Sequence, residues 1–204
     1  MPARLHPGEV ILSMHHSVIT LHAGGEPGGA ETAFLSLYDI AYSIEVGGGY
    51  VALLRVPSLG LDTVLADTEE RGRRMQARLK GIGTTMAMLN GPIVRITDVF
   101  REPWAGDGFG YRVTADGLDI HARWDECEPP FFAEGVAPSF SEREDIWSVF
   151  VAARRASLVI NGVAAPGAPY DDDVWKPRLP RSVSSAHSAL GETRLRPSPA
   201  RVPG

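Results

Sequence analysis

Residues 118–125 alternate charged and apolar side chains without a break. Asp119, His121, Arg123 and Asp125 share one face of an extended chain, and Leu118, Ile120, Ala122 and Trp124 share the other. An imidazole titrates near neutrality, and carboxylates beside it can orient and tune it. The expected chemistry is acid–base work, with His121 as general acid or base and Asp119 or Asp125 holding its ring. Arg123 would bind an anionic group of the ligand, and the aromatic rings of Tyr111 and Trp124 would contact its body. A strand with one wet face shows the same alternation. The site therefore depends on this face lining a concavity.

Four other groups carry reactive residue types. His15, His16 and His22 lie in one β-rich run, where a metal would need a third ligand such as His121 or a carboxylate. No sequence pattern supplies one, and no metal is expected. Asp171, Asp172 and Asp173 offer the oxygen donors that Mg²⁺ takes, without ligand spacing, and read more simply as a solvated acidic turn. The loop Gly24–Gly29 could lead from a strand into a helix whose N-terminus holds a phosphate, yet neither Gly-x-Gly-x-x-Gly nor Gly-Lys-Ser/Thr is present. Ser184, Ser185, His187 and Glu192 gather triad residue types in one short stretch, with no Gly-x-Ser-x-Gly elbow. Cys127 sits among Asp125, Glu126 and Glu128, which suppress its thiolate. The cofactor stays unknown.

Elements must position these groups. Residues 10–22 read as a strand, 34–46 as a second through the alternation of Tyr38, Ile40, Tyr42, Ile44 and Val46, and 50–56 as a third after Gly47-Gly48-Gly49. The spacing of Leu61, Val64, Leu65, Met75 and Leu79 predicts an amphipathic helix over 61–80, with Gly72 marking a close approach. Residues 92–126 read as a meander of three strands, with Asp116-Gly117 as a two-residue turn. Ser141-x-x-Glu144 matches a capping box, and Ile146, Val149, Phe150 and Ala153 follow at helical spacing, which predicts a second helix over 142–155. A competing alternation runs through Trp147, Val149 and Val151. Asn161-Gly162 closes a further hairpin. The expected fold class is α+β: a mostly antiparallel, curved sheet or open barrel with two helices.

Composition bounds the rest. The chain has 204 residues, enough for one domain of residues 1–175, followed by a Pro/Ser/Arg-rich arm over 176–204 that is expected to be extended or disordered. The net charge of −5 offers no basic footprint, so nucleic acid is not an expected partner. One cysteine cannot form an internal disulfide, no run approaches a membrane span, and no leader is visible, so the cytoplasm is expected. The leading functional expectation is a small-molecule-binding protein whose polar sheet face could also run acid–base catalysis. One alternative is a non-enzymatic interaction or assembly protein, forming oligomers through sheet edges or the arm. The other is a nucleotide- or metal-dependent transferase using Gly24–Gly29 or Asp171–Asp173.

Overall fold

The computed structural model describes residues 9–136, 144–173, 176 and 182–195. Side chains alternate along nearly every strand, and the alternation sorts them to the inside or the outside of a cylinder. In β1 (Glu9–His22), Ser17, Ile19 and Leu21 point inward. In β2 (Glu31–Ser43) the inward set is Ala33, Leu35 and Leu37, and in β3 (Gly49–Val56) it is Ala52, Leu54 and Val56. The outward residues of β3, Val51 and Leu53, are also buried, because a second apolar layer covers that part of the wall. That double burial explains the unbroken run Val51-Ala52-Leu53-Leu54.

The covering layer is α1 (Glu69–Gly81), which follows β4 (Leu61–Ala66). Thr68 caps it by accepting from the Arg71 amide, while Glu69 and Glu70 in its first turn and Arg78 and Lys80 in its last suit the helix dipole. Met75 and Leu79 pack on Val51, Leu53 and Val64. Gly72 permits a tight approach, since a Cβ there would stand 2.7 Å from Ile93 Cγ2. Buried Gln76 donates to the carbonyls of Met88 and Gly91 and ties the helix to the turn that follows it.

β5 (Ile93–Ala105), β6 (Gly108–Ala115) and β7 (Leu118–Cys127) form the expected meander. β9 (Glu144–Ile160) is the spine of the closure. One edge of β9 pairs with β13 (Ala186–Leu195) through residues 144–152. Its other edge pairs with β7 through residues 153–160 and then with β8 (Phe131–Val136). The intervening Pro129-Pro130 separates β7 from β8, since proline has no N–H for the ladder. β13 pairs in turn with β1, and the sheet closes as a nine-strand barrel, in the order β9-β13-β1-β2-β3-β4-β5-β6-β7 and back to β9. A ring of purely antiparallel neighbours needs an even count. The odd count follows from the one parallel pair, β4–β5, whose crossover is α1. Two-residue β10 (Val163–Ala164) extends one edge of β9, while β11 (Asp171–Asp172) and β12 (Val183–Ser184) pair separately.

The interior is filled. Trp124 stacks on Phe109 at 4.9 Å, meets Tyr111 edge-on at 6.1 Å, and donates its indole N–H to the Val18 carbonyl at 2.9 Å. Side chains from every wall strand fill a barrel of this size.

The fold is therefore mostly β, with one α-helix among the described residues and a closed barrel, which corrects the α+β expectation of two helices and a curved or open sheet. Residues 61–66 are a strand because Val64, Leu65 and Ala66 occupy a buried ladder between β3 and β5, and the helix begins only after the Thr68 cap. Residues 144–155 belong to β9: Ile146, Ser148, Phe150 and Ala152 are buried while Trp147 and Val149 are exposed, so the period is two. Ser141 of the capping pattern lies outside the described residues. The part of the expected arm from Ala186 to Leu195 is the wall strand β13, held by backbone pairing on both edges.

Candidate functional site

β6 and β7 place the residues of the expected acid–base site in two separate environments. Asp119, His121, Arg123 and Asp125 stand on the outer face. Arg112 grips Asp119 with two hydrogen bonds of 2.9 Å and holds its carboxyl below the usual range, and His121 Nε2 lies 3.4 Å from the same carboxylate. Arg123 is shared by Asp125 at 2.8 Å and Glu102 at 3.4 Å. These side chains are roughly half exposed, where ion pairs contribute little. Tyr111 and Trp124 point the other way, into the filled interior, and are 1% and 0% exposed. The barrel wall separates the two aromatic residues from the polar strip.

The other groups also separate. The residues after Gly24–Gly29 form β2, so no helix N-terminus is present there to hold a phosphate. Asp173 is tied to Lys176 and Ser182. Cys127 is partly buried, and burial with Asp107 and Asp125 pushes its thiol up to about 11. Among the described residues no cluster of three or more His, Cys, Asp or Glu could hold a metal ion.

The histidines of β1 divide by parity. His15 points inward and is fully engaged: its Nδ1 meets Tyr111 Oη at 2.6 Å and its Nε2 meets Ser188 Oγ at 2.6 Å, with Ser17 Oγ 2.8 Å further on. Burial first, and then the charge of Arg101, lowers its pKa to about 4. His16 points outward, stacks on Tyr38 at 4.3 Å and bonds Ser36 Oγ at 2.7 Å. His22, also outward, stacks on Tyr170 at 4.0 Å.

His16 opens onto a cavity of about 280 Å³ on the outer wall. Its floor is the outward row of β9, β13, β1 and β2, including Ser148, His187, Met14 and Phe34. Its roof is the end of α1 and the segment beyond it, with Leu79, Ile82 and Met86. The lining is mainly apolar, and the volume falls at the small end of ligand pockets, which run about 300–1,000 Å³. His187 supplies a specific polar feature. Its Nδ1 lies 3.0 Å from the Ser184 carbonyl, which can only accept, so Nδ1 carries the proton. Burial lowers its pKa, and the neutral ring therefore leaves Nε2 as an acceptor. Burial and the neighbouring His187 and His15 lower His16 to about 3. Both cavity imidazoles are neutral at pH 7 and are weak bases. These two rings are suited to accept hydrogen bonds rather than to carry charge or move protons, and Glu192, which also lines the cavity, is paired with Arg194. Sequence reasoning missed the cavity because His16 and His187 are 171 positions apart; parity on β1 was the available signal, since it turns His15 and His16 to opposite faces.

Gly191 fixes the cavity floor. A Cβ there would overlap Ser148 Oγ and the Trp147 carbonyl oxygen, and would stand 2.6 Å from Ser148 Cα. Gly191→Ala is expected to push β13 away from β9 and cost about 1–3 kcal/mol in urea unfolding, as overpacking does. An unchanged midpoint would show that the two strands yield freely.

No helix among the described residues is long and apolar enough to cross a membrane. No family model matches the chain, and neither a curated protein nor a solved structure matches it significantly.

Proposed function

We propose that the protein binds a small, uncharged molecule with an apolar body and one hydrogen-bond donor, in the cavity between the barrel wall and α1. The observation that carries this reading is the neutral His187, whose free Nε2 acceptor lines a mainly apolar cavity. A ligand donor would satisfy that nitrogen, while Met14, Phe34, Leu79 and Met86 would take the apolar body. Charged molecules are disfavoured, because burial keeps the imidazoles from becoming charged partners. A lone cysteine fits a reducing compartment, and this reading places the protein in the cytoplasm.

The test uses indole, which carries an N–H donor, beside indene, which has nearly the same shape and none. Indole is expected to raise the melting temperature saturably, because a ligand of the native state stabilises it. Indene should bind about tenfold more weakly, the worth of one hydrogen bond of about 1–1.5 kcal/mol. His187→Phe should erase the difference between them, and Met86→Trp should fill the space and abolish both responses. Equal binding of indole by the wild type and by Met86→Trp would place the ligand elsewhere and end this reading.

A further inference from the structure

We propose that the mouth of the barrel is a second ligand site, independent of the outer cavity, and that it takes a small zwitterion of amino-acid type between Asp39 and Arg101. The inward rows bring the groups together. His15 pairs with Asp39 across β1 and β2, Asp39 with Tyr50 across β2 and β3, and Arg101 with Tyr111 across β5 and β6. The Arg101 guanidinium lies over the Tyr111 ring, 5.9 Å from its centroid.

His15 is not available to a ligand, because both of its nitrogens are engaged by Tyr111 and Ser188. It acts as a rigid post that holds this layer. Three groups remain: the Asp39 carboxylate, the Tyr50 hydroxyl and the Arg101 guanidinium. Among the described residues none of the three makes a side-chain hydrogen bond or an ion pair. Elsewhere on the molecule, by contrast, arginines such as Arg55, Arg112 and Arg123 each hold a carboxylate.

Asp39 and Arg101 nevertheless sense each other. Burial raises the Asp39 carboxyl and the charge of Arg101 lowers it, and Tyr50 and Tyr111 respond to both charges. One open negative and one open positive group around two phenol rings suit a molecule that carries both charges. A simple anion would meet Asp39 and a simple cation would meet Arg101, each at a repulsive cost. Leu190, opposite His15 on β13 and 64% exposed, offers a ledge for the apolar part of the ligand.

Isothermal titration of the full chain with L-phenylalanine, 2-phenylethylamine and 3-phenylpropionate tests the assignment. Saturable binding of L-phenylalanine is expected, with either half-charged analogue about tenfold weaker or worse. Asp39→Asn and Arg101→Gln should each weaken L-phenylalanine about tenfold while leaving indole binding at the outer cavity unchanged. Absence of saturable binding by the wild type overturns the proposal, as does equal binding of the amine or the acid alone. Strong coupling of the two substitutions in thermal melts, without any effect on ligand, would mean that Asp39 and Arg101 simply close on each other in solution, and that too overturns it.

Discussion

Below pH 6.5 the protein is expected to lose stability steeply, through its buried imidazoles. Native His16 and His15 titrate at about 3 and about 4, and His187 is also lowered, against 6.5 for the free side chain. Above pH 6.5 both the folded and the unfolded chain hold these rings neutral, and no penalty arises. As the pH falls through 6.5, the unfolded chain takes up protons that the folded one refuses, so unfolding gains. The loss continues until the native rings themselves protonate near pH 3–4. Each such histidine contributes up to about 1.4 kcal/mol per pH unit in that window, and His15 with His16 about 2.7 kcal/mol per unit near pH 5. A domain with a total stability of about 5–15 kcal/mol does not withstand two units of this slope comfortably. Urea titrations at about pH 7.5 and 5 measure the drop. His16→Gln, which keeps a partner for Ser36 Oγ and cannot titrate, should show a visibly smaller drop than the wild type. An identical drop would assign the acid sensitivity to carboxylates instead.

Trp124→Ala should be among the most damaging single substitutions in the barrel. The indole is fully buried, stacks on Phe109, meets Tyr111 edge-on and donates to the Val18 carbonyl. Truncation leaves a large void, and a closed ring of hydrogen-bonded strands has little freedom to collapse into it. Large aromatic-to-alanine changes in cores cost about 3–5 kcal/mol, and the upper end applies here because the Val18 carbonyl also loses its donor. Equilibrium unfolding in guanidinium reads the loss directly. Trp124→Phe should recover most of the packing but not the hydrogen bond. If Phe and Ala were equally destabilised, the hydrogen bond and not the packing would be the dominant contribution.

Much of the wall was legible in the sequence, for a definite reason. β6 and β7 alternate cleanly, and Gly-rich turns bound β2 and β3, where the short apolar run of β3 and the β-branched and aromatic residues of β2 outweigh a helical spacing. β4 and β9 were misread because short apolar runs satisfy two periods at once. Leu61, Val64 and Leu65 fit a helix face, and so do Ile146, Val149, Phe150 and Ala153. Partners decided both cases: β3 and β5 claim β4, and β9 has strands along both edges. β13 gave almost no signal, because Gly191 and Thr193 line the cavity floor and Ser188 bonds His15 and Ser17 on the inner face, so no apolar alternation marks the strand. Of the candidate residues, the strip on β7 was visible because it is local to one strand. The cavity was not, because its floor and roof come from segments far apart in sequence that only barrel closure assembles.

That closure also dictates when the molecule can form. Among the described residues, β13 is the last wall strand to leave the ribosome and the one that bridges β9 and β1, the first. Until residue 195 has been made, the nascent chain carries two unpaired strand edges, one of them since residue 9. Both edges are β-rich and capable of pairing with another chain. Final assembly must join positions some 170 apart, as in Val18 against His187, which makes it a late and slow step. Newly made protein is therefore vulnerable to aggregation at the seam that β13 closes.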